Sequence, residues 1–95
     1  MLATRLATAA LVLLSTGALA AEQPPGASSC SGCHAVNART KTAVPRIQGR
    51  SATDIVAAMA DFRSGKRAAT VMDRIAKGFT EDETKMIAAW LAEQK

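Results

Sequence analysis

The sequence predicts a small all-α fold of three to four helices, because two long stretches show helical periodicity and none alternates like a β-strand. The first stretch starts at Ser51, a residue type that caps helix N-termini, and Asp54 follows three residues later. Gly65 can adopt the left-handed conformation that ends a helix. Between these signals, four apolar residues have the spacing i, i+3, i+4 and i+7: Ile55, Ala58, Met59 and Phe62.

A second long helix is predicted to begin after Thr80. Thr80 and Glu83 have the spacing of a capping box, in which each side chain bonds the backbone N–H of the other residue. Acidic residues in the first turn also suit the positive end of the helix dipole. We expect the buried apolar face of this helix to consist of Met86, Ile87, Trp90 and Leu91.

The chain contains the pentapeptide Cys30-Ser31-Gly32-Cys33-His34, which matches the Cys-x-x-Cys-His pattern of covalent c-type haem attachment. Each thiol can add to one vinyl group of the porphyrin, and the two-residue spacer presents both sulfur atoms to one edge. The adjacent His34 then supplies the proximal nitrogen ligand of the iron. A short helix, with Pro25 in its first turn, would carry Cys30 to this position.

Other uses of these residues fit the sequence less well. The chain has two cysteines and one histidine, all within the pentapeptide, whereas a structural zinc site needs about four ligands. A thioredoxin-like redox pair would accompany a βαβ pattern, which is missing here. A structural disulfide between Cys30 and Cys33 is the remaining alternative to haem.

The first 20 residues have the features of a secretory signal peptide. Arg5 supplies a positive charge, Leu6 to Leu14 form a short apolar core, and Ala18-Leu19-Ala20 is an Ala-x-Ala cleavage site. The apolar core is short for a membrane span, which needs about 20 apolar residues. We therefore expect a signal peptide at residues 1–20, an exported domain at 21–95 and no stable membrane span after cleavage.

Cleavage would leave one small domain with few aromatic residues, two Phe and one Trp. Such a domain has difficulty burying enough apolar surface on its own, so a buried porphyrin would be structural as well as functional. Loss of Arg5 leaves 11 basic against 8 acidic residues, a net charge of +3. A basic face could steer an acidic redox partner or simply be solvated, and nucleic acid is not an expected partner.

The segment after the haem motif contains a candidate support for the histidine. A proximal histidine needs its other ring nitrogen held, usually by a carbonyl, to fix the tautomer and the ring orientation. The polar loop from Ala35 to Val44 leads to Pro45, whose carbonyl is our candidate. Ile47 is expected to pack on the haem ring.

The second iron ligand can be argued by elimination. Without a second histidine, a methionine thioether is the natural donor, and it would raise the reduction potential. Met1 would leave with the signal peptide, and Met59 and Met86 lie on predicted apolar helix faces. Met72 follows a basic loop 38 residues after His34, which is enough chain to reach around the haem. Met72 is the predicted ligand, with Met59, a lysine or a vacant site as alternatives.

Together these motifs resemble a small class I c-type cytochrome, with similarity to cytochrome c4 and c553 type domains. The resemblance rests on the haem pentapeptide, on Pro45-x-Ile47-x-Gly49 and on Phe62-Arg63-Ser64-Gly65 leading to Met72. The stretch from Phe62 through Phe79 is similar to the cytochrome subunits of flavocytochrome c sulfide dehydrogenases. The chain departs from them in having one haem motif where many such subunits have two, and in a first helix shortened by Pro24 and Pro25.

The resemblance implies a periplasmic electron-transfer subunit that is not an enzyme on its own. Cys30 and Cys33 would hold one covalent haem c, and His34 and Met72 would be its axial ligands. A flavoprotein sulfide dehydrogenase subunit would oxidise sulfide at its own FAD and donate the electrons. Another cytochrome or redox protein would accept them.

Three other functions stay open from the sequence. A freely diffusing cytochrome c, carrying electrons between respiratory or photosynthetic complexes, would have the same fold. A haem enzyme or gas-binding protein would need an open iron site, against which ligation by His34 and Met72 argues. A non-haem dithiol protein would be colourless.

Overall fold

The computed structural model describes residues 22–94. This part of the chain contains four helices and no strand: α1 (Ser28–Ser31), α2 (Ala52–Ser64), α3 (Met72–Ala76) and α4 (Glu81–Glu93). The predicted all-α class is therefore confirmed. No helix within residues 22–94 is long and apolar enough to cross a membrane. The predicted signal peptide at residues 1–20 lies outside the described residues, and it stays a prediction together with the domain boundary.

The predicted ends of α2 are confirmed. The Ser51 hydroxyl accepts a hydrogen bond from the backbone N–H of Asp54, with 3.2 Å between the two atoms. At the other end, Gly65 has φ 80°, the left-handed conformation that costs glycine no steric strain. Short-range hydrogen bonding thus sets both ends of this helix.

The capping box of α4 is also present. The Thr80 hydroxyl accepts from the Glu83 N–H at 3.1 Å, and the Thr80 N–H donates to the Glu83 carboxylate at 3.0 Å. The hydrogen bond from the Thr80 backbone is the main reason that the pKa of Glu83 is lowered, because it favours the charged carboxylate.

The fully buried core is small. Within residues 22–94 it consists of five apolar residues, three of which are alanines: Ala27, Ala76, Ile87, Ala88 and Leu91. Helix α2 packs against α3 and α4 but has no buried residue, and its predicted apolar stripe is only half-buried. Arg63 of α2 donates to the Phe79 carbonyl at 2.6 Å and so ties α2 to the turn before α4. Four large apolar side chains of the described residues are exposed: Val36, Val71, Ile75 and Met86.

The prediction that Met86 belongs to the buried face of α4 is wrong, since its side chain is 53% exposed. Ile87, Ala88 and Leu91 are the buried residues of this helix. Met86 lies about 100° around the helix from Ile87, on the side away from Ala88. The buried face is thus rotated toward Ala88, a small residue that allows close packing.

The expectation for Pro25 is also corrected. Pro25 and Gly26 occupy the centre of a turn that the Ala27 N–H closes onto the Pro24 carbonyl at 3.2 Å. The sequence Pro-Gly at these positions is typical of a type II turn. Helix α1 begins only at Ser28 and has four residues. The contact of this region with α4 is made by Ala27, which packs with Ile87 and Leu91.

Candidate haem site

The pentapeptide forms a compact turn at the end of α1. The backbone N–H groups of Cys33 and His34 both donate to the Cys30 carbonyl, at 3.3 and 2.8 Å. Cys30 is half-buried and Cys33 is exposed, and both are free thiols with no disulfide between them. Short backbone bonds therefore keep the two thiols and the imidazole within one turn of chain.

Burial raises the pKa of the Cys30 thiol above its ordinary value of 9.0, and hydrogen bonds from Ser29 and from the backbone offset this only in part. Desolvation disfavours the thiolate, so Cys30 is protonated at neutral pH. Addition to a vinyl group consumes one sulfur and one proton, and the Cys30 thiol holds both.

The imidazole of His34 is held by the segment that begins at Pro45. The His34 Nδ1 atom lies 2.5 Å from the Pro45 carbonyl oxygen, eleven residues along the chain. A carbonyl can only accept a hydrogen bond, so Nδ1 carries the proton and Nε2 keeps a free lone pair. The contact expected between these two residues is present, and it leaves Nε2 available to a metal ion.

Ile47 lies on the apolar surface that surrounds the motif. The core residues Ala27, Ile87 and Leu91 are surrounded by five partly buried side chains: Cys30, Ile47, Ile55, Phe79 and Trp90. Cys30 and Ile47 thus share one apolar cluster, although 17 positions separate them in the sequence.

The structure places Met72 at the first residue of α3, where its side chain is half-buried. Met59, the alternative ligand, lies on a cleft that Ala76 and Thr84 also line, between α2, α3 and α4. Its environment is that of a helix-packing residue, as the apolar stripe of α2 indicates. The assignment of Met72 as iron ligand stays a prediction.

Two residues of the site were not singled out as supports from the sequence. The Arg46 side chain donates a hydrogen bond to the loop that follows His34. The Gly49 N–H donates one to a carbonyl near the C-terminal end of α4. The sequence assigns Arg46 no role in the site, because nothing in its neighbours distinguishes a side chain that folds back onto carbonyls. Its place beside Pro45 was the one available signal.

The chain is 42% identical over 62 residues to the cytochrome subunit of sulfide dehydrogenase from Chlorobaculum tepidum. Over this region the chain is similar to a cytochrome subunit. The aligned region is 65% of this chain and 56% of that subunit, so the chain spans little more than half the length of the curated relative. No protein-family model matches the sequence.

The residues of this site fit a covalently attached haem. Cys30 and Cys33 are unbonded thiols in a single turn, and His34 offers Nε2 because Nδ1 is engaged. Half-buried apolar side chains beside Cys30 provide the kind of surface that a large flat apolar group would cover. The assignment of Cys30, Cys33, Pro45, Ile47, His34 and Met72 to the haem remains a prediction from sequence that this geometry supports.

Proposed function

We propose that the chain is a periplasmic electron-transfer protein with one covalent haem c, and that it is the cytochrome subunit of a FAD-containing sulfide dehydrogenase. The observation that supports this best is the hydrogen bond of His34 to Pro45 beside two free thiols. It fixes the tautomer and the orientation of the imidazole, as a haem ligand requires. The identity with the Chlorobaculum tepidum subunit supports the choice of complex.

Each proposed site residue has a separate role. Cys30 and Cys33 would hold the haem through thioether bonds, and His34 and Met72 would ligate its iron. Pro45 orients the imidazole, and Ile47 covers part of the apolar ring. The haem, when bound, supplies one-electron chemistry between ferric and ferrous iron. With both iron ligands supplied by the chain, no position on the iron would be left for a substrate, so the chain would act as a carrier rather than an enzyme.

The proposed donor is a flavoprotein subunit that oxidises sulfide at its own FAD. Oxidation of one sulfide to sulfur releases two electrons, which this chain would receive one at a time and pass to another cytochrome or redox protein. The basic side chains between Arg39 and Lys77 are exposed except for Arg46, which is half-buried. They would favour encounter with an acidic partner at low salt.

Purification from the native periplasm at low salt tests this proposal, with an absorption spectrum of every fraction. We expect haem and flavin absorbance to elute together and sulfide to reduce the haem. A red protein that elutes alone at the size of a monomer and is not reduced by sulfide would instead support the freely diffusing carrier. A colourless protein would contradict the haem itself, and reduced protein that readily binds carbon monoxide would contradict the ligation by Met72.

A further inference from the structure

The Arg46 side chain folds back onto backbone carbonyls on both sides of Pro45, the residue that holds the His34 ring. Its Nε atom donates to the Val36 carbonyl at 3.1 Å, ten residues away, and its Nη1 atom donates to the Gln48 carbonyl at 3.3 Å. The side chain is half-buried, unlike the other basic residues of the region. A guanidinium can make two such bonds at once because its donors form a rigid fork.

The hydrogen bond from Arg46 to Val36 lies beside the hydrogen bond from His34 to Pro45. The ring of residue 34 donates to the carbonyl of residue 45, and the side chain of residue 46 donates to the carbonyl of residue 36. The two contacts run in opposite directions between the same two stretches of chain. Together they close the loop between His34 and Pro45 at its base.

The segment that follows Arg46 is held against α4 by separate contacts. The Gly49 N–H donates to the Leu91 carbonyl of α4 at 2.9 Å, and Gln48 is only 6% exposed. A Cβ atom on Gly49 would lie 3.1 Å from the Gln94 carbonyl, and φ is 80°, so this close approach favours glycine. Arg46 therefore connects a segment fixed on α4 to the loop that carries His34.

We infer that Arg46 is a positioning residue for the proximal histidine, which holds the Pro45 carbonyl against His34 Nδ1. This inference rests on the proposed haem function. The hydrogen bond to the carbonyl increases the electron donation of the imidazole and so stabilises ferric iron. Weakening the hydrogen bond between His34 and Pro45 therefore raises the reduction potential of the haem. Loss of a nearby positive charge or greater exposure of the haem to water lowers the potential instead, so the sign separates the mechanisms.

The test compares three variants of the haem-loaded protein. Arg46→Lys keeps the charge and loses the fork, Arg46→Gln loses both, and Arg50→Gln removes one charge from an exposed arginine four residues away. We measure the reduction potential and, by nuclear magnetic resonance of the reduced protein, solvent exchange of the His34 Nδ1 proton. Far-ultraviolet circular dichroism checks that each variant is folded.

We expect a higher potential in Arg46→Lys than in the wild type. We also expect about tenfold faster proton exchange in Arg46→Gln than in Arg50→Gln, the factor that loss of one hydrogen bond gives to a local opening. An unchanged or lower potential in Arg46→Lys, or equal exchange in the two glutamine variants, would overturn the inference. A wild-type protein that holds no haem would instead overturn the proposed function, so the two failures are distinguishable.

Discussion

The two parts of the described chain are built in different ways. In residues 51–94, helices α2 and α4 begin with side-chain caps whose partners lie three residues away. In residues 22–50 the one helix has four residues, and the key contacts span ten and eleven residues. The C-terminal part therefore depends on local signals, whereas the N-terminal part depends on contacts across a loop and, in our proposal, on a covalent haem.

The largest effect is expected from removing the haem attachment. The double variant Cys30→Ala/Cys33→Ala should lose the haem and most of its helical circular dichroism signal, because the fully buried core has only five residues. Ser31→Ala, within the same pentapeptide, is the matched control and should stay red and helical. Native-like helix content in the double variant would show that the local signals of residues 51–94 are sufficient to form the helices without haem.

Replacing the predicted distal ligand should have the next largest effect. Met72→Ala should abolish the charge-transfer absorption band between thioether and ferric iron, and it should lower the reduction potential. Met59→Ala removes the same side chain from a position that packs between helices, so its spectrum should keep the band. The reverse result would assign the ligand to α2 and would overturn our reading of α3.

A substitution that strains the backbone at the end of α2 should cause a smaller loss of stability. Gly65→Ala puts a Cβ at φ 80° with no atom within 4 Å, so its cost is conformational and about 1–2 kcal/mol of unfolding free energy. Gly32→Ala is the matched control, since Gly32 has φ −65° and accepts a side chain without strain. Denaturant unfolding of the haem-loaded proteins measures both. Equal stabilities would mean that the end of α2 does not depend on this local signal.

The smallest effect concerns pH. The lowered pKa of Glu83 means that its contribution to stability is complete above its unfolded value of 4.5 and is lost as the pH falls through the folded value. Glu83→Gln should therefore lose less stability than the wild type on acidification across this window. Glu93→Gln removes an exposed carboxylate at the last residue of the same helix and should keep the wild-type slope. Identical slopes in all three proteins would show that the charge of Glu83 does not contribute to stability.

Much of the site could be predicted from the sequence because its chemistry is concentrated in a short motif. The pentapeptide identifies the thiols and the imidazole, and Pro45 is the candidate carbonyl to hold the ring. Arg46 could not be assigned in the same way, since an arginine beside a proline in a loop is equally compatible with a solvated side chain. Its partners, the carbonyls of Val36 and Gln48, are defined only once the loop is folded.

The sequence by itself determined the helical class, the ends of α2 and α4 and the residues that can attach a haem. These features depend on groups within about one turn of each other, so the neighbouring residues specify them. Only the tertiary structure decided that Met86 faces solvent while Ala88 is buried, and that Pro25 turns the chain before α1. Which face of a helix is buried depends on what packs against it, and that partner comes from a distant part of the chain.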